Sequence, residues 1–197
     1  DTPDALPSDS GKEYSISEAC NLIDKNLQNN TYKVNFTGGE PLVQHESVNE
    51  LAKYIKSKGI LTYLESSCFD SQKFSYVLPS IDFVKIEFKT KDSEMVDAKH
   101  YADLIKNTLE CLDASIKMKK TTYIKIVVSS KTELDNLKTL LEQIFKIASI
   151  DTISGFIIQP TYGAAEPSLE KLLEFYDLVY PYYMDVRVIP QLQKIID

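Results

Sequence analysis

The stretch Thr37–Leu42 combines residue types that can bring a ligand close to the main chain. Gly38 and Gly39 follow a short run of alternating apolar residues and precede Glu40 and Pro41. Glycine has no Cβ atom, so the chain can take a positive φ here and a ligand can approach the backbone. A carboxylate at the end of a strand can also accept hydrogen bonds from a cationic amine. The pattern is typical of a ligand site and equally of an ordinary strand-to-helix turn that uses glycine.

Polar side chains end the other candidate strands as well. In parallel α/β folds the carboxyl ends of the strands meet at one edge, where ligands bind. We therefore predict one shared site that includes Glu40. The other strand-end residues are Glu65, Lys89, Ser129, Gln159 and Gln191.

The run Phe83–Lys89 alternates apolar and charged residues with a period of two. In a strand this period places Lys85, Glu87 and Lys89 on one side. Such a side either faces solvent or, in a barrel, lines the interior or the mouth. The second placement would add these three charges to the predicted site.

Six predicted strands alternate with helices, which is typical of an α/β chain with parallel crossovers. We expect a barrel or open barrel that forms a single domain over residues 1–197. The strands are predicted at 33–36, 60–64, 83–89, 122–128, 153–159 and 185–189. The main helices are predicted from Ser15 or Ser17 to about residue 29, from Glu46 or Ser47 to Gly59, and over 99–120, 131–147 and 167–180, with a short helix or irregular segment at 69–77.

Composition excludes several classes of protein. A net charge of −7 argues against wholesale binding of nucleic acid, and no apolar run approaches the length of a membrane helix. The amino terminus lacks the pattern of a signal peptide, so we expect a cytoplasmic protein without membrane partners. Cys20 and Cys111 lie on apolar helix faces and are predicted to be buried thiols, whereas His45 and His100 are predicted to be structural or surface residues.

Thr37–Leu42 resembles the GGEP motif of radical S-adenosylmethionine (radical SAM) enzymes, and within that superfamily the chain is most similar to the 7-carboxy-7-deazaguanine synthase family. Five further stretches carry the resemblance in the right order. They are Asp1–Leu6 (Cys-Asp-Thr in the family), Leu64–Ser67 (Glu-Thr-Ser/Asn-Gly), Asp82–Lys89 (Asp-x-x-x-x-Asp-x-Lys), Ile158–Pro160 (Leu-Gln-Pro) and Arg187–Lys194 (Val-x-Pro-Gln-x-His-Lys).

The resemblance implies a partial (β/α)6 barrel that uses S-adenosylmethionine and a [4Fe-4S] cluster. It implies that Thr2 helps to ligate Mg2+ beside the substrate. The residues implied in cofactor binding are Gly38, Gly39, Glu40, Ser66, Ser67 and Lys89, and those implied in substrate binding are Lys85, Glu87, Gln159 and Gln191.

The chain also departs from the family pattern. Family members carry CxxxCxxC just before the Asp-Thr pair, and three thiolates there hold the cluster. Because this chain starts at Asp1, we expect it to lack the cluster loop and the first strand, and as given to be inactive. Cys68 replaces glycine or threonine, Glu87 replaces aspartate and Gln193 replaces histidine. These changes affect substrate identity more than the class of cofactor.

The implied activity is lyase-type: hydrogen abstraction from 6-carboxy-5,6,7,8-tetrahydropterin and ring contraction, as in queuosine-type biosynthesis. Flavodoxin or ferredoxin is the implied electron donor, and a homodimer is possible. One alternative is an activase that places a glycyl radical on a partner enzyme. Another, from a different class, is a non-catalytic binding domain that has lost its cluster.

Overall fold

The computed structural model describes residues 12–93, 95–163 and 165–191. In these ranges helices and strands alternate along the chain. The helices are α1 (Ile16–Asn26), α2 (His45–Ser57), α3 (Ser71–Val77), α4 (Tyr101–Lys117), α5 (Leu134–Ile144) and α6 (Leu169–Val179). The strands are β1 (Lys33–Phe36), β2 (Leu61–Ser66), β3 (Phe83–Phe88), β4 (Thr121–Val128), β5 (Gly155–Pro160) and β6 (Val186–Val188).

The predicted elements are all present, with differences at their ends. Helix α1 stops at Asn26, about three residues before the predicted end, and begins with a capping box between Ser15 and Glu18. Helix α6 begins at Leu169 because the Ser168 side chain caps it, so Pro167 lies before the helix. Strand β5 ends at Pro160, one residue after the predicted end.

Pro160 is the last residue of β5, beside Val128 of β4. A proline at the end of a strand is tolerated because its missing N–H removes at most one hydrogen bond from the ladder. The strand begins at Gly155, two residues after the predicted start.

The six strands form one parallel sheet in chain order, from β1 to β6. Crossover connections between parallel strands are right-handed almost without exception. Because each connection here leads to the next strand in the same direction, the connecting helices lie on one face of the sheet. Val84, Ile86 and Phe88 of β3 point toward that face and are fully buried. The opposite face bears the charged residues of the same strand. This architecture confirms the predicted α/β partial barrel.

The two cysteines predicted to be buried have different surroundings. Cys111 lies in α4 and is fully buried in the core. Cys20 is partly exposed, because α1 packs at the edge of the molecule and buries none of its residues completely. In the described part of the chain, no helix has both the length and the apolar character needed to cross a bilayer.

Gly155 makes room for the ring of Tyr123 on the neighbouring strand. A Cβ atom added at Gly155 would lie 2.9 Å from Cδ1 of that ring. We expect Gly155→Ala to lower the free energy of unfolding by about 1–3 kcal/mol because the ring must shift. Urea unfolding measures this change. An added Cβ at Gly39 meets no atom within 4 Å, so Gly39→Ala is the control. A Tyr123→Ala background that leaves the effect of Gly155→Ala undiminished would contradict this explanation.

Candidate functional site

A cavity of about 920 Å³ opens at the carboxyl ends of the strands. Its wall contains all ten residues that the sequence assigns to cofactor or substrate binding. They are Gly38, Gly39, Glu40, Ser66, Ser67, Lys85, Glu87, Lys89, Gln159 and Gln191. The structure thus brings together residues that are up to 153 positions apart in the chain.

The carboxylate of Glu40 accepts four hydrogen bonds from its own chain. Its Oε1 accepts from the N–H of Leu42 at 3.0 Å and from the Ser66 hydroxyl at 2.7 Å. Its Oε2 accepts from the N–H and the hydroxyl of Ser67, at 2.8 and 2.6 Å. Glu40 therefore caps the short 3-10 helix Pro41–Gln44 and joins the end of β1 to the end of β2.

The two glycines beside Glu40 leave the backbone open to the cavity. Gly38 has a φ of 91°, in the left-handed region that favours glycine. A Cβ atom at Gly38 or Gly39 would meet no other atom within 4 Å. Because the Glu40 carboxylate is already engaged, the main-chain carbonyls of this turn are the better acceptors for an incoming ammonium group.

Five charged side chains form a row across β2, β3 and β4, which we call the ion tier. Its members are Lys85, Glu65, Lys125, Glu87 and Lys89. The ammonium of Lys125 lies 2.6 Å from a carboxylate oxygen of Glu65 and 2.6 Å from one of Glu87. At the two ends Lys85 pairs with Glu65 at 2.7 Å and Lys89 pairs with Glu87. The charged face of β3 therefore lines the interior.

The ion tier keeps its charges although it is largely buried. Burial alone would raise the pKa of Glu87, but the nearby ammonium groups of Lys125 and Lys89 outweigh it and lower the pKa of this carboxyl. The pKa of Glu65 is lowered in the same way, since Lys125 and Lys85 outweigh its burial. Burial alone would lower the pKa of Lys125, but Glu87 and Glu65 raise it. All three groups are thus charged at neutral pH.

Sequence reasoning missed Lys125 and Asp92 as parts of the cavity wall, and it noted Glu65 only as a strand end. The sequence could have predicted the position of Lys125. The period of two that places the charged residues of β3 on one side also places Tyr123, Lys125 and Val127 on one side of β4. Asp92 lies after β3 in the short 3-10 helix Lys91–Ser93, where three residues are too few for a period to predict a direction.

Hydrogen bonds to Asp92 connect the segment after β3 to the end of β4. Its Oδ2 accepts from the Ser129 hydroxyl at 2.6 Å and from the Thr132 hydroxyl at 2.9 Å. Burial alone would raise the pKa of Asp92, but hydrogen bonds from Ser129, Thr132 and Thr90 outweigh it and lower the pKa. This segment forms part of the cavity wall.

Cys68 has a backbone conformation that glycine favours. Its φ is 56°, its N–H donates to the Ser66 hydroxyl at 2.8 Å, and its side chain is fully buried. The glycine common at this position in the resembling family therefore has a conformational reason. Burial raises the pKa of the Cys68 thiol, so the group is protonated and poorly suited to bind a metal.

The described residues do not fit an iron–sulfur cluster or another metal ion. No group of three or more His, Cys, Asp or Glu side chains in ranges 12–93, 95–163 and 165–191 has the arrangement of a metal site. His45 begins α2 with its ring edge-on to Tyr76, at 5.4 Å between centroids, and His100 is exposed. Thr2 and Gln193 lie outside the described residues, so the Mg2+ role of Thr2 stays a prediction.

A parallel partial barrel with a polar cavity at its strand ends is the architecture of the radical SAM enzymes. The family model described as a 4Fe-4S single cluster domain matches residues 2–111, more than half of the chain. The chain belongs to this family, and the resemblance to radical SAM enzymes is confirmed.

Curated relatives carry two kinds of name. The 7-carboxy-7-deazaguanine synthase of Methanocaldococcus jannaschii is 29% identical over 88% of this chain and 70% of its own length. The Archaeoglobus fulgidus protein of that name is 29% identical over 83% of this chain and 65% of its own length. The 4-hydroxyphenylacetate decarboxylase activating enzyme of Clostridium scatologenes is 34% identical, but over 53% of this chain and 35% of its own length.

Two solved structures share the fold. A domain of a pyruvate-formate lyase-activating enzyme from Bacteroides vulgatus has a TM-score of 0.63 and 17% identity, over 81% of this chain and 98% of that domain. A radical SAM methyltransferase from Sphaerobacter thermophilus has a TM-score of 0.63 and 10% identity, over 89% of this chain and 56% of that protein. At these identities the likeness concerns the fold alone.

Replacing Glu40 by glutamine should destabilise the protein. An amide offers one oxygen and directs its NH2 group at two of the four donors, so Glu40→Gln should lower the free energy of unfolding by about 2 kcal/mol. Urea unfolding measures the loss. Glu50→Gln, on an exposed position of α2, is the matched control. Equal stability of the two variants would contradict the described role of Glu40.

Replacing Glu87 by glutamine should have an effect that depends on pH. The lowered pKa of Glu87 stabilises the fold at neutral pH, and this stabilisation is lost as pH falls below about 4.5, the ordinary value for glutamate. Glu87→Gln should therefore lower the free energy of unfolding by about 3 kcal/mol at pH 7. The difference from the unsubstituted protein should shrink in acid.

Urea unfolding at pH 7, 5 and 3.5 measures this dependence. Glu142→Gln, at an exposed position of α5, should show little difference at any of these values. A difference for Glu87→Gln that stays constant with pH would count against its pairing with Lys89 and Lys125.

Proposed function

We propose that the chain is the cofactor- and substrate-binding part of a lyase-type radical SAM enzyme that acts as its relatives named 7-carboxy-7-deazaguanine synthase do. The reaction is the ring contraction of 6-carboxy-5,6,7,8-tetrahydropterin, in 7-deazaguanine or queuosine-type biosynthesis. The observation that carries the proposal is the convergence of all ten residues of the resemblance on one cavity.

The open glycine turn supports a site for S-adenosylmethionine. In our proposal the carbonyl groups of Gly38 and Gly39 accept from the cofactor's ammonium, while Glu40 holds the turn in place. Ser66 and Ser67 line the neighbouring wall, and Lys89 faces the cofactor's carboxylate. When bound, this cofactor supplies the hydrogen-abstracting chemistry of the family.

The ion tier and two amides supply contacts for a pterin acid. Lys85 and Lys89 are ammonium groups that can neutralise the carboxylates of the substrate and of the cofactor, respectively. The amides of Gln159 and Gln191 can donate to and accept from the edges of a heterocycle, which carry both kinds of group. Glu87 fixes Lys89 and offers an acceptor to a ribose or ring N–H.

The cluster has no fitting ligands in the described residues, so we assign none of them to it. The sequence contains no CxxxCxxC. We therefore propose that a polypeptide of these 197 residues alone does not assemble the family cluster and is inactive. Mg2+ at Thr2, a flavodoxin or ferredoxin donor, a homodimer and a cytoplasmic location remain predictions.

An activase is the second candidate, because relatives named as activating enzymes are 34% identical to part of the chain. These matches cover 42–53% of the chain, whereas matches to four archaeal proteins named 7-carboxy-7-deazaguanine synthase cover 82–98%. The wider coverage favours a small-molecule substrate. A non-catalytic binding domain that has lost its cluster is the third candidate.

The deciding experiment uses a chain extended before Asp1 by a segment that carries CxxxCxxC. After reconstitution with iron and sulfide, it is mixed with reductant, S-adenosylmethionine, Mg2+ and 6-carboxy-5,6,7,8-tetrahydropterin. We expect 7-carboxy-7-deazaguanine and turnover of the cofactor, both measured by liquid chromatography and mass spectrometry. The 197-residue polypeptide is the control and should form no product.

Three results separate the candidates. Formation of the deazaguanine product excludes the activase and the binding domain. Formation of 5′-deoxyadenosine without turnover of the pterin favours an activase, which is then tested by the glycyl-radical signal of a partner enzyme in electron paramagnetic resonance. A reconstituted cluster without any cleavage of the cofactor would refute the proposed radical SAM activity.

A further inference from the structure

We propose that Lys125 is a positioning residue for the anionic ligand of the cavity. It holds the carboxylates of Glu65 and Glu87, and it thereby leaves Lys85 and Lys89 as the groups that bind a ligand carboxylate. The inference rests on the proposed function, in which the substrate is a pterin acid. The proposed function by itself gives Lys125 no role.

The side chain of Lys125 contacts acidic residues on two strands other than its own. It lies on β4 directly beside Glu87 of β3, and its ammonium also reaches Glu65, which lies on β2. On its other side the neighbour in β5 is the apolar Ile157. The ammonium is therefore directed toward β2 and β3, where it lies 2.6 Å from each carboxylate.

Burial separates Lys125 from the two outer lysines. The side chain of Lys125 is 8% exposed and contacts two carboxylates, so it has little capacity for a ligand. Lys85 and Lys89 are each 20% exposed, and each has one carboxylate partner among the described residues. A lysine ammonium has three donors, so both lysines can donate to a further carboxylate at the cavity surface.

The charge balance of the ion tier depends on Lys125. With it, three ammonium groups face two carboxylates, and within the tier one positive charge is not compensated. Without it, Lys85 and Lys89 would balance Glu65 and Glu87, and the tier would be neutral. In a largely buried site, one unit of charge a few ångströms away changes the affinity for an anion by tenfold or more.

Four variants test this charge balance. Lys125→Met keeps the stem and removes the charge, and Lys125→Arg restores the charge. The pair Glu65→Gln/Lys125→Met returns the tier to one positive charge, because two lysines then face Glu87. Lys138→Met, at an exposed position of α5, is the control for the loss of one lysine elsewhere.

Acetate is a probe that does not depend on the identity of the substrate. Its binding to the 197-residue chain is followed by backbone amide shifts of Lys85 and Lys89 in nuclear magnetic resonance. We expect Lys125→Met to weaken acetate binding at least tenfold. The dissociation constant for acetate should agree within threefold among four proteins. They are the unsubstituted chain, Lys125→Arg, Lys138→Met and the paired variant.

Two outcomes would overturn the assignment of Lys125. One is an acetate midpoint in Lys125→Met equal to that of the unsubstituted chain. The other is weak binding in the folded paired variant, since a purely structural role predicts no rescue by charge. The second outcome keeps the test decisive even if Lys125→Met alone does not fold.

A competition experiment separates this proposal from the proposed function. We expect 6-carboxypterin to displace acetate from the unsubstituted chain, and pterin without the carboxylate to displace it at least tenfold less well. Failure of 6-carboxypterin to compete, with the acetate pattern otherwise as expected, would contradict the pterin substrate and leave the role of Lys125 in place.

Discussion

The structure depends on one topological constraint, which is that every crossover steps in the same direction across a parallel sheet. All helices then lie on one face, and that face takes the apolar side chains of β3, β4 and β5. In the part of the chain that the structure describes, the other face carries no α-helix and encloses the cavity. Side chains on that face can be charged provided that they find partners across the strands, and the ion tier supplies such partners.

Acidic and basic side chains of the cavity differ in how fully they are engaged. Glu40 accepts four hydrogen bonds, Asp92 is held by hydroxyl groups, and both carboxylates of the ion tier are paired. Lys85 and Lys89 retain donors that no carboxylate of the described residues uses. The cavity can therefore favour an anion although the protein as a whole carries a net charge of −7.

The sequence predicts most of the fold, because periodicity and turn residues determine local structure. The alternation in Phe83–Lys89 was enough to place three charged residues on one side of a strand, and the folded sheet shows that this side lines the cavity. The same pattern could not predict the pairing of Lys125 with Glu65, because those residues are 60 positions apart and on strands that are not neighbours. Such a contact depends on strand register and on the reach of a long side chain.

Glu40 shows a second limit of sequence reasoning. Its position after two glycines suggests direct contact with a ligand, and the motif is the same whether the carboxylate faces a ligand or its own backbone. The serines that surround it come from β2 and the residue after it, 26 and 27 positions later. The local sequence pattern identified Glu40, but only the folded chain shows which groups donate hydrogen bonds to its carboxylate.

The pairing within the ion tier also affects the entropy of binding. A lysine side chain loses up to about 2 kcal/mol of conformational entropy, expressed as TΔS, when it is fixed in one rotamer. In this protein Lys85, Lys89 and Lys125 are held by carboxylates as soon as the chain folds. A ligand that arrives at the cavity meets side chains that are already ordered, so more of its interaction energy remains as affinity.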